Sequence, residues 1–322
     1  MQQGISRFEF QLNKIEALLQ QAAMQDNPAL WLFEHDMRTP VFMLEALSRL
    51  YANWRNKKTF IQFKDTFKSL EDMLGAIDYY TAFAKEFSTN DKIPASVKTI
   101  IEKKKEKQIQ ILNKALKEDN WLEGKRLKKI KAKLKEADWL NEAEETQLLK
   151  PFYQKEIQKI EKFAQEAHFV FENIETGVHE LRRRLRWLSI YPQALQGAIK
   201  LEKTSPVAKH LEKYLTPEVI SSPFNKFPIS AMQSHFLILE ESHFYALSWL
   251  ISKLGKIKDN GLRIKIIQEA LKEATLLNDE SSLGTTYKIL GNDYPTIPKL
   301  LGEANTIVKQ YFEENNLAHI IL

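Results

Sequence analysis

The 322-residue chain contains no cysteine, only 10 glycines and no apolar run of the length that a membrane span requires. Without cysteine, the protein can form neither disulfides nor thiolate-ligated zinc or iron–sulfur centres, and it has no thiol nucleophile. A membrane-spanning helix would need about 18 consecutive apolar residues, and the N-terminus lacks the basic-then-apolar order of a signal peptide. We therefore expect a cytoplasmic protein with no membrane partner.

The scarcity of glycine and the abundance of helix-forming residues indicate the fold class. Ten glycines are fewer than half of the number that an ordinary share of about 7% would give. Because glycine supplies turns and close phosphate-binding loops, its scarcity favours long helices with few connections. The commonest residues, among them Leu, Lys, Glu and Ala, are good helix formers. The composition predicts an all-α fold of two helical-bundle halves with long antiparallel helices.

Apolar spacing predicts where the helices lie and where the chain divides. The stretches Ile5–Gln25 and Phe60–Phe87 each carry one apolar stripe, and a helix begins near Leu30. Residues 152–173 predict a further long helix. We expect the halves to be 1–150, including a Lys-rich hairpin, and 151–322. Breaks are expected at Ser88–Pro94, in a loop over Leu215–Gln233, at Leu254–Gly261 within a helical hairpin, and near Gly291–Pro298.

The Lys-rich region contains a short repeated unit. LKEDNWL and LKEADWL lie 18 residues apart, so Trp121 and Trp139 lie on one face of a continuous helix or in a two-helix hairpin. The segment KRLKKIKAKLK (125–135) either docks an acidic partner or is a solvated helix face that buries its Leu and Ile side chains. We therefore include a protein partner at residues 100–145 among the hypotheses.

A second repeat carries the functional signal. VHELRRRLRWL (178–188) and EHDMRTPVFML (34–44) both place an Arg three residues after a His, with apolar residues at matching offsets. At about 100° per residue, His179, Arg182, Arg183 and Arg186 share roughly one 100° arc of a helix, opposite a Leu stripe. The match predicts a diverged internal duplication that presents basic residues.

Such a cationic stripe favours an anionic ligand. Like charges three and four residues apart repel by a few tenths of a kcal/mol per pair, so helix stability alone does not require them. The planar guanidinium of Arg matches phosphate with two parallel hydrogen bonds. Acidic residues elsewhere in the chain could instead neutralise the stripe in structural salt bridges. Both interpretations stay open for the second copy, whereas His35 and Arg38 in the first copy have fewer cationic neighbours.

The motif resembles the CHAD family, the conserved histidine α-helical domains. His179 with basic residues at plus three, four and seven matches the pattern of that family, and so does a Leu-Gly turn closely followed by Asp, seen at Leu254–Asp259 and at Leu74–Asp78. The resemblance implies two helical repeats that line a channel and bind inorganic polyphosphate. It implies binding roles for His179, Arg182, Arg183, Arg186, His35 and Arg38. Thr39, Phe42 and Glu45 depart from the basic pattern in the first copy.

Two alternatives remain. HDMRTP (35–40) also resembles the phosphoacceptor box of sensor histidine kinases, which implies a phosphotransfer hairpin that uses His35. A helical interaction scaffold without phosphate chemistry is the other alternative.

The chain has one Glu-x-x-His, Glu240 to His243, and lacks the metalloprotease, P-loop, hydrolase and EF-hand motifs. We therefore expect no enzyme, metal or cofactor, and no basic-aromatic alternation points to nucleic acid.

Overall fold

Helices make up most of the computed structural model, which describes residues 3–229, 233–275 and 277–322. This confirms the predicted all-α class. Two four-residue strands, β1 (Ile199–Glu202) and β2 (Leu237–Glu240), pair in parallel and were not expected from the sequence. The α helices of the described residues are α1 (Gln3–Ala22), α2 (Pro28–Glu34), α3 (Arg38–Tyr51), α4 (Lys57–Ser88), α5 (Ala95–Glu118), α6 (Lys125–Lys135), α7 (Glu142–Glu166), α8 (Glu180–Ala194), α9 (Pro217–Ile220), α10 (Glu241–Thr275), α11 (Asp279–Leu290) and α12 (Ile297–Glu313).

The chain divides into two compact units. The first unit comprises the chain up to Leu140 together with Lys265–Asn292, and the second comprises Asn141–Ile264 together with Asp293–Leu322. The boundary that we expected near residue 150 lies inside α7, whose buried face continues past that point. The division falls instead at Asn141, which starts α7 with a capping box: its side chain accepts the Glu144 N–H at 3.0 Å, and the Glu144 carboxylate accepts the Asn141 N–H at 3.0 Å.

An aromatic cluster forms part of the core of the first unit. The rings of Phe8, Tyr51, Phe60 and Trp139 lie with their centroids 5.3 to 5.8 Å apart. Gly4 is close to this cluster, because a Cβ atom there would lie only 2.5 Å from Trp139 and from the Tyr51 hydroxyl. The helices predicted at 5–25 and 60–87 are confirmed as α1 and α4.

The Lys-rich region is a pair of helices. α5 ends at Glu118 and α6 begins at Lys125, with Gly124 in the left-handed region at φ 70° between them. The continuous-helix interpretation is therefore wrong, whereas the hairpin stays a prediction. Trp121 and Trp139 are buried in the connections that flank α6. The apolar residues of the 125–135 segment, Leu127, Ile130 and Leu134, are buried as the solvated-face interpretation expected.

The second unit differs from expectation at two places. The break predicted at Leu254–Gly261 is wrong, because α10 runs through it without interruption. Two glycines of α10 leave room for side chains of a neighbouring segment. A Cβ atom added at Gly255 would lie 3.0 Å from the Arg182 side chain, and one added at Gly261 would lie 2.9 Å from the Ile174 side chain. The long helix expected to reach residue 173 ends at Glu166.

The remaining predicted turns fall on short helices and connections. Within the loop predicted over Leu215–Gln233, α9 and a 3-10 turn at Pro223–Asn225 form, and residues 230–232 lie outside the described part of the chain. The turn predicted near 291–298 is confirmed between α11 and α12.

Candidate anion-binding site

The second copy of the repeated motif lies on α8 and on the π-helical turn that precedes it. Asn173 caps this turn, since its side-chain oxygen accepts the N–H groups of Glu175 at 2.8 Å and Thr176 at 3.1 Å. The turn spans Ile174–His179 and leads directly into α8. The predicted apolar stripe of α8 is confirmed, because Leu181, Leu185 and Leu188 are fully buried.

Arg182 is held against α10. Its Nε donates to the carbonyl oxygen of Ile251 at 3.0 Å, and its guanidinium lies over Gly255. Burial lowers the pKa of Arg182, while the charge of Asp259 acts in the opposite direction. The two Nη groups have no hydrogen-bond partner among the described residues.

Arg183 and Arg184 share one carboxylate. Glu180 Oε2 accepts from Arg183 at 2.8 Å, and Oε1 accepts from Arg184 at 2.7 Å. Arg184 also lies over the ring of Phe163, 4.2 Å from the centroid. Glu180 therefore neutralises part of the cationic stripe, which is the structural alternative that the sequence left open.

His179 experiences the combined positive charge of this region. Its pKa falls from 6.5 to about 4, first because burial disfavours the charged ring and then because of Lys258, Arg182 and Arg183. Glu175 opposes this effect. His179 is therefore neutral at pH 7 in the ligand-free protein.

Two residues of this region were not among the predicted site residues. Lys258 on α10 is mostly buried, contacts the Asp259 carboxylate at 2.6 Å and faces His179 closely enough to lower its pKa. Glu180 is the main counter-charge. The sequence held a signal for each, since Lys258 lies within the Leu254–Asp259 motif and Glu180 precedes Arg183 and Arg184 by three and four residues. Arg186 is half-buried on α8.

The first copy of the motif places Arg38 between two carboxylates. Its Nε and Nη2 contact Glu71 Oε1 at 2.9 and 2.8 Å, and its Nη1 contacts Asp78 Oδ2 at 2.6 Å. The guanidinium also lies over Gly75, where a Cβ atom would be 2.8 Å from Nη2. Arg38 therefore has the same relation to a helix glycine as Arg182, but its charge is neutralised.

His35 lies outside the helix that was expected to carry it. α2 ends at Glu34, α3 begins at Arg38, and Pro40 occupies the first turn of α3 instead of kinking a longer helix. The His35 ring is exposed and stacks on Trp31 with centroids 3.8 Å apart, and its Nδ1 lies 2.8 Å from the Trp31 carbonyl oxygen. His35 and Arg38 belong to the first unit, and the residues grouped around His179 belong to the second.

Glu240 and His243 have a structural role. The buried Glu240 carboxylate accepts the His243 N–H at 2.7 Å and the Thr204 hydroxyl at 2.8 Å, at the junction of β2 and α10. Within residues 3–229, 233–275 and 277–322, no group of three or more His, Asp or Glu side chains is placed to hold a metal ion. Over the same ranges, none of the helices is long and apolar enough to cross a membrane.

Comparison of the chain with protein-family models, with curated proteins and with solved structures found no match.

Proposed function

We propose that this protein binds phosphate-rich polyanions, such as inorganic polyphosphate, without catalysing a reaction. The binding groups are His179, Arg182, Arg183 and Arg186, together with Lys258 from the facing helix. His35 and Arg38 are the corresponding residues of the first unit. Arg38 contributes little to binding in this proposal, because two carboxylates already occupy its donors.

One observation supports the proposal above the others. In addition to burial, the positive charges of Lys258, Arg182 and Arg183 lower the pKa of His179. A positive potential therefore exists at this position before any ligand binds. Glu180, Asp259 and Glu175 offset part of this potential, and a bound anion would offset the remainder. A phosphate chain would also raise the pKa of His179 and so favour its protonated form.

The geometry of the arginines suits phosphate oxygens. Arg182 is oriented by Ile251 and Gly255, and its Nη donors have no hydrogen-bond partner among the described residues. A phosphate group that binds Arg183 competes with the Glu180 carboxylate, which already forms an ion pair with it. Since Arg183 is about half exposed, this pair contributes at most about 1 kcal/mol and does not block a multivalent ligand.

The resemblance to CHAD proteins agrees with this proposal in one respect. In both copies of the motif, the Arg that follows the His by three residues lies over the Gly of a Leu-Gly pair. This shared placement supports, but does not establish, an internal duplication. The phosphotransfer alternative gains no support, because the helix expected around His35 is interrupted.

Titration of fluorescently labelled polyphosphate tests the proposal. Affinity should fall steeply between about 0.05 and 0.3 M salt, because binding releases counter-ions. The double substitution Arg183→Gln/Arg186→Gln should weaken binding by about tenfold or more, since it removes two cationic forks. Glu180→Gln should strengthen binding, because it removes the competing carboxylate.

A matched control removes two exposed charges from α7 of the same unit, Lys155→Gln/Lys162→Gln. This variant should retain most of the affinity. An absence of polyphosphate binding at low salt would refute the proposal. Equal losses in the Arg and Lys double variants would refute the assigned site.

A further inference from the structure

A groove separates α4 from α6 in the first unit. It encloses about 360 Å³, and its lining includes Arg126, Lys129 and Lys133 from α6 and Gln62 and Thr66 from α4. A second hollow shares Gln62 with it. This hollow is lined by Lys57, Lys58, Gln62 and the exposed side chain of Ile61.

The cations of this surface lack acidic partners. Arg126 Nη2 donates to the Thr66 hydroxyl at 3.1 Å, and Lys133 Nζ donates to the Gln62 side-chain oxygen at 3.0 Å. Both acceptors are neutral, so these bonds orient the two cations without cancelling their charge.

The other three lysines of the surface, Lys57, Lys58 and Lys129, form no ion pair with any residue that the structure describes. Asp65 is the single carboxylate in the lining of the two hollows, and Lys64 binds it at 3.1 Å. Five cations therefore face solvent with no counter-charge of their own. Their mutual repulsion favours a partner that carries negative charge.

The same surface also offers apolar contact. Ile61, at the adjoining hollow, supplies this contact because its side chain is 36% exposed, whereas Phe63 and Ile130 in the groove lining are almost completely buried. The aliphatic stems of the lysines extend this apolar area. A ligand that fits the surface therefore combines negative charges with apolar side chains.

We propose that the α4–α6 groove is a docking site for an acidic amphipathic segment of a partner protein. Carboxylates of the segment contact Lys129, Lys133 and the lysines near the start of α4, and an apolar side chain covers Ile61. A phosphate chain fits less well, because it has no apolar group and because the one arginine of the groove is already hydrogen-bonded to Thr66. This site is independent of the polyanion site around His179.

Fluorescence anisotropy with three probes tests the proposal on the full chain. The probes are an amphipathic Glu/Leu peptide of about 15 residues, an oligo-Glu peptide of equal charge, and inorganic polyphosphate of equal charge. The Glu/Leu peptide should bind most tightly of the three at about 0.1 M salt, where attraction between charges more than about 10 Å apart is largely screened. The double substitution Lys129→Glu/Lys133→Glu should weaken its binding by about tenfold or more.

Two further variants make the test specific. Ile61→Ser should weaken binding of the Glu/Leu peptide and leave binding of oligo-Glu unchanged. Lys103→Glu/Lys107→Glu on α5 makes the same change in net charge outside the groove and should have a much smaller effect. All of these positions are exposed, so thermal unfolding should stay close to that of the wild type.

Two outcomes decide against the proposal, and a third separates it from the proposed polyanion site. If oligo-Glu or polyphosphate binds as tightly as the Glu/Leu peptide and is lost equally in the Lys129→Glu/Lys133→Glu variant, the groove is a general anion surface. If Lys103→Glu/Lys107→Glu lowers the affinity for the Glu/Leu peptide as much as Lys129→Glu/Lys133→Glu does, the peptide does not bind specifically in the groove. Failure of polyphosphate binding in the Arg183→Gln/Arg186→Gln variant, with peptide binding intact, concerns only the site around His179.

Discussion

Arg38 in the first unit and Arg182 in the second unit have the same local geometry and different electrostatics. Each follows a motif histidine by three residues, and each places its guanidinium over a glycine of a long helix, Gly75 or Gly255. The residue four positions before the glycine differs. It is Glu71 beside Arg38, whose carboxylate accepts from the guanidinium, and Ile251 beside Arg182, which offers only a backbone carbonyl.

This difference shows how one exchange separates an arginine held in ion pairs from one held by a backbone carbonyl. Glu71 and Asp78 satisfy the donors and the charge of Arg38, so its role is to join helices α3 and α4. The Ile251 carbonyl fixes Arg182 without an ion pair, Asp259 acts on it from a distance, and the charge of Arg182 contributes to the potential at His179. The duplication itself stays a prediction, and the variants below test whether the two arginines differ in this way.

The largest effect should come from removing Arg38. Arg38→Gln leaves the mostly buried Glu71 without its cation, and the free energy of unfolding should fall by about 3 kcal/mol. Arg182→Gln should cost only about 1 kcal/mol, because it leaves a carbonyl rather than a charge unpaired. Urea unfolding of both variants measures the difference. Arg55→Gln, which breaks an exposed pair with Asp138, is the surface control, and equal losses at 38 and 182 would contradict the comparison.

His179 should make stability depend on pH. Its pKa is about 4 in the folded protein and near 6.5 when unfolded, so the unfolded chain binds an extra proton between these values. This contribution is complete above pH 6.5 and is lost as the pH falls toward 4. After allowance for partial exposure, it should amount to about 2 kcal/mol.

Urea unfolding of the wild type and of His179→Asn between pH 4 and 7 measures this effect. The variant should lose less stability on acidification. Saturating polyphosphate should reduce the difference between the two proteins by raising the pKa of His179. Parallel pH profiles of the two proteins would show that the pKa of His179 is not lowered in the folded protein.

Glu45 is the corresponding test in the first unit, where two further carboxylates, Glu71 and Asp72, act on it. Burial raises its pKa to about 7; Arg49 lowers it, and Glu71 raises it further. Because its ordinary pKa is 4.5, the contribution to stability is complete below pH 4.5 and is lost as the pH rises through 7. Glu45→Gln should therefore gain about 1.5 kcal/mol relative to the wild type on moving from pH 5 to pH 8. An unchanged difference across that range would mean that Glu45 ionises normally.

The smallest effect concerns the two glycines. Gly284→Ala on α11 has open space around it and should gain about 0.5–1 kcal/mol, as expected within a helix. Gly75→Ala and Gly255→Ala should not show this gain, because the new methyl group displaces Arg38 or Arg182. Their free energies of unfolding should therefore be about 1 kcal/mol lower than that of Gly284→Ala. Thermal unfolding of the three variants compares them directly. A gain at all three positions would show that the arginines move aside at no cost.

The sequence predicted features that depend on local periodicity. The apolar stripe of α4 and the buried Leu face of α8 follow from spacing alone, and both are confirmed. The separation of α5 from α6 could not be chosen over a continuous helix, because the same spacing fits both. The left-handed conformation of Gly124 decides between them.

Features that depend on a distant partner were not predictable. Leu254–Gly261 has the composition of a turn, yet Gly255 and Gly261 are helical and make room for Arg182 and Ile174. The cations of 178–188 and their local counter-charge Glu180 can be read from the sequence, but the groups that face them from α10 had to be located in space. Whether Arg38 or Arg182 is neutralised depends on side chains 33 or more positions away along the chain.

The division of the chain bears on the order in which the protein is made. The first unit takes its last segment, Lys265–Asn292, from within the sequence range of the second. A ribosome therefore completes residues 141–264 before it has supplied all of the first unit, and a fragment that stops at Leu140 lacks one of its parts. Because synthesis proceeds at about 5–20 residues per second, the first unit waits roughly 8–30 seconds until its final segment is complete. Chaperone dependence of the nascent chain should accordingly persist until residue 292 has left the exit tunnel.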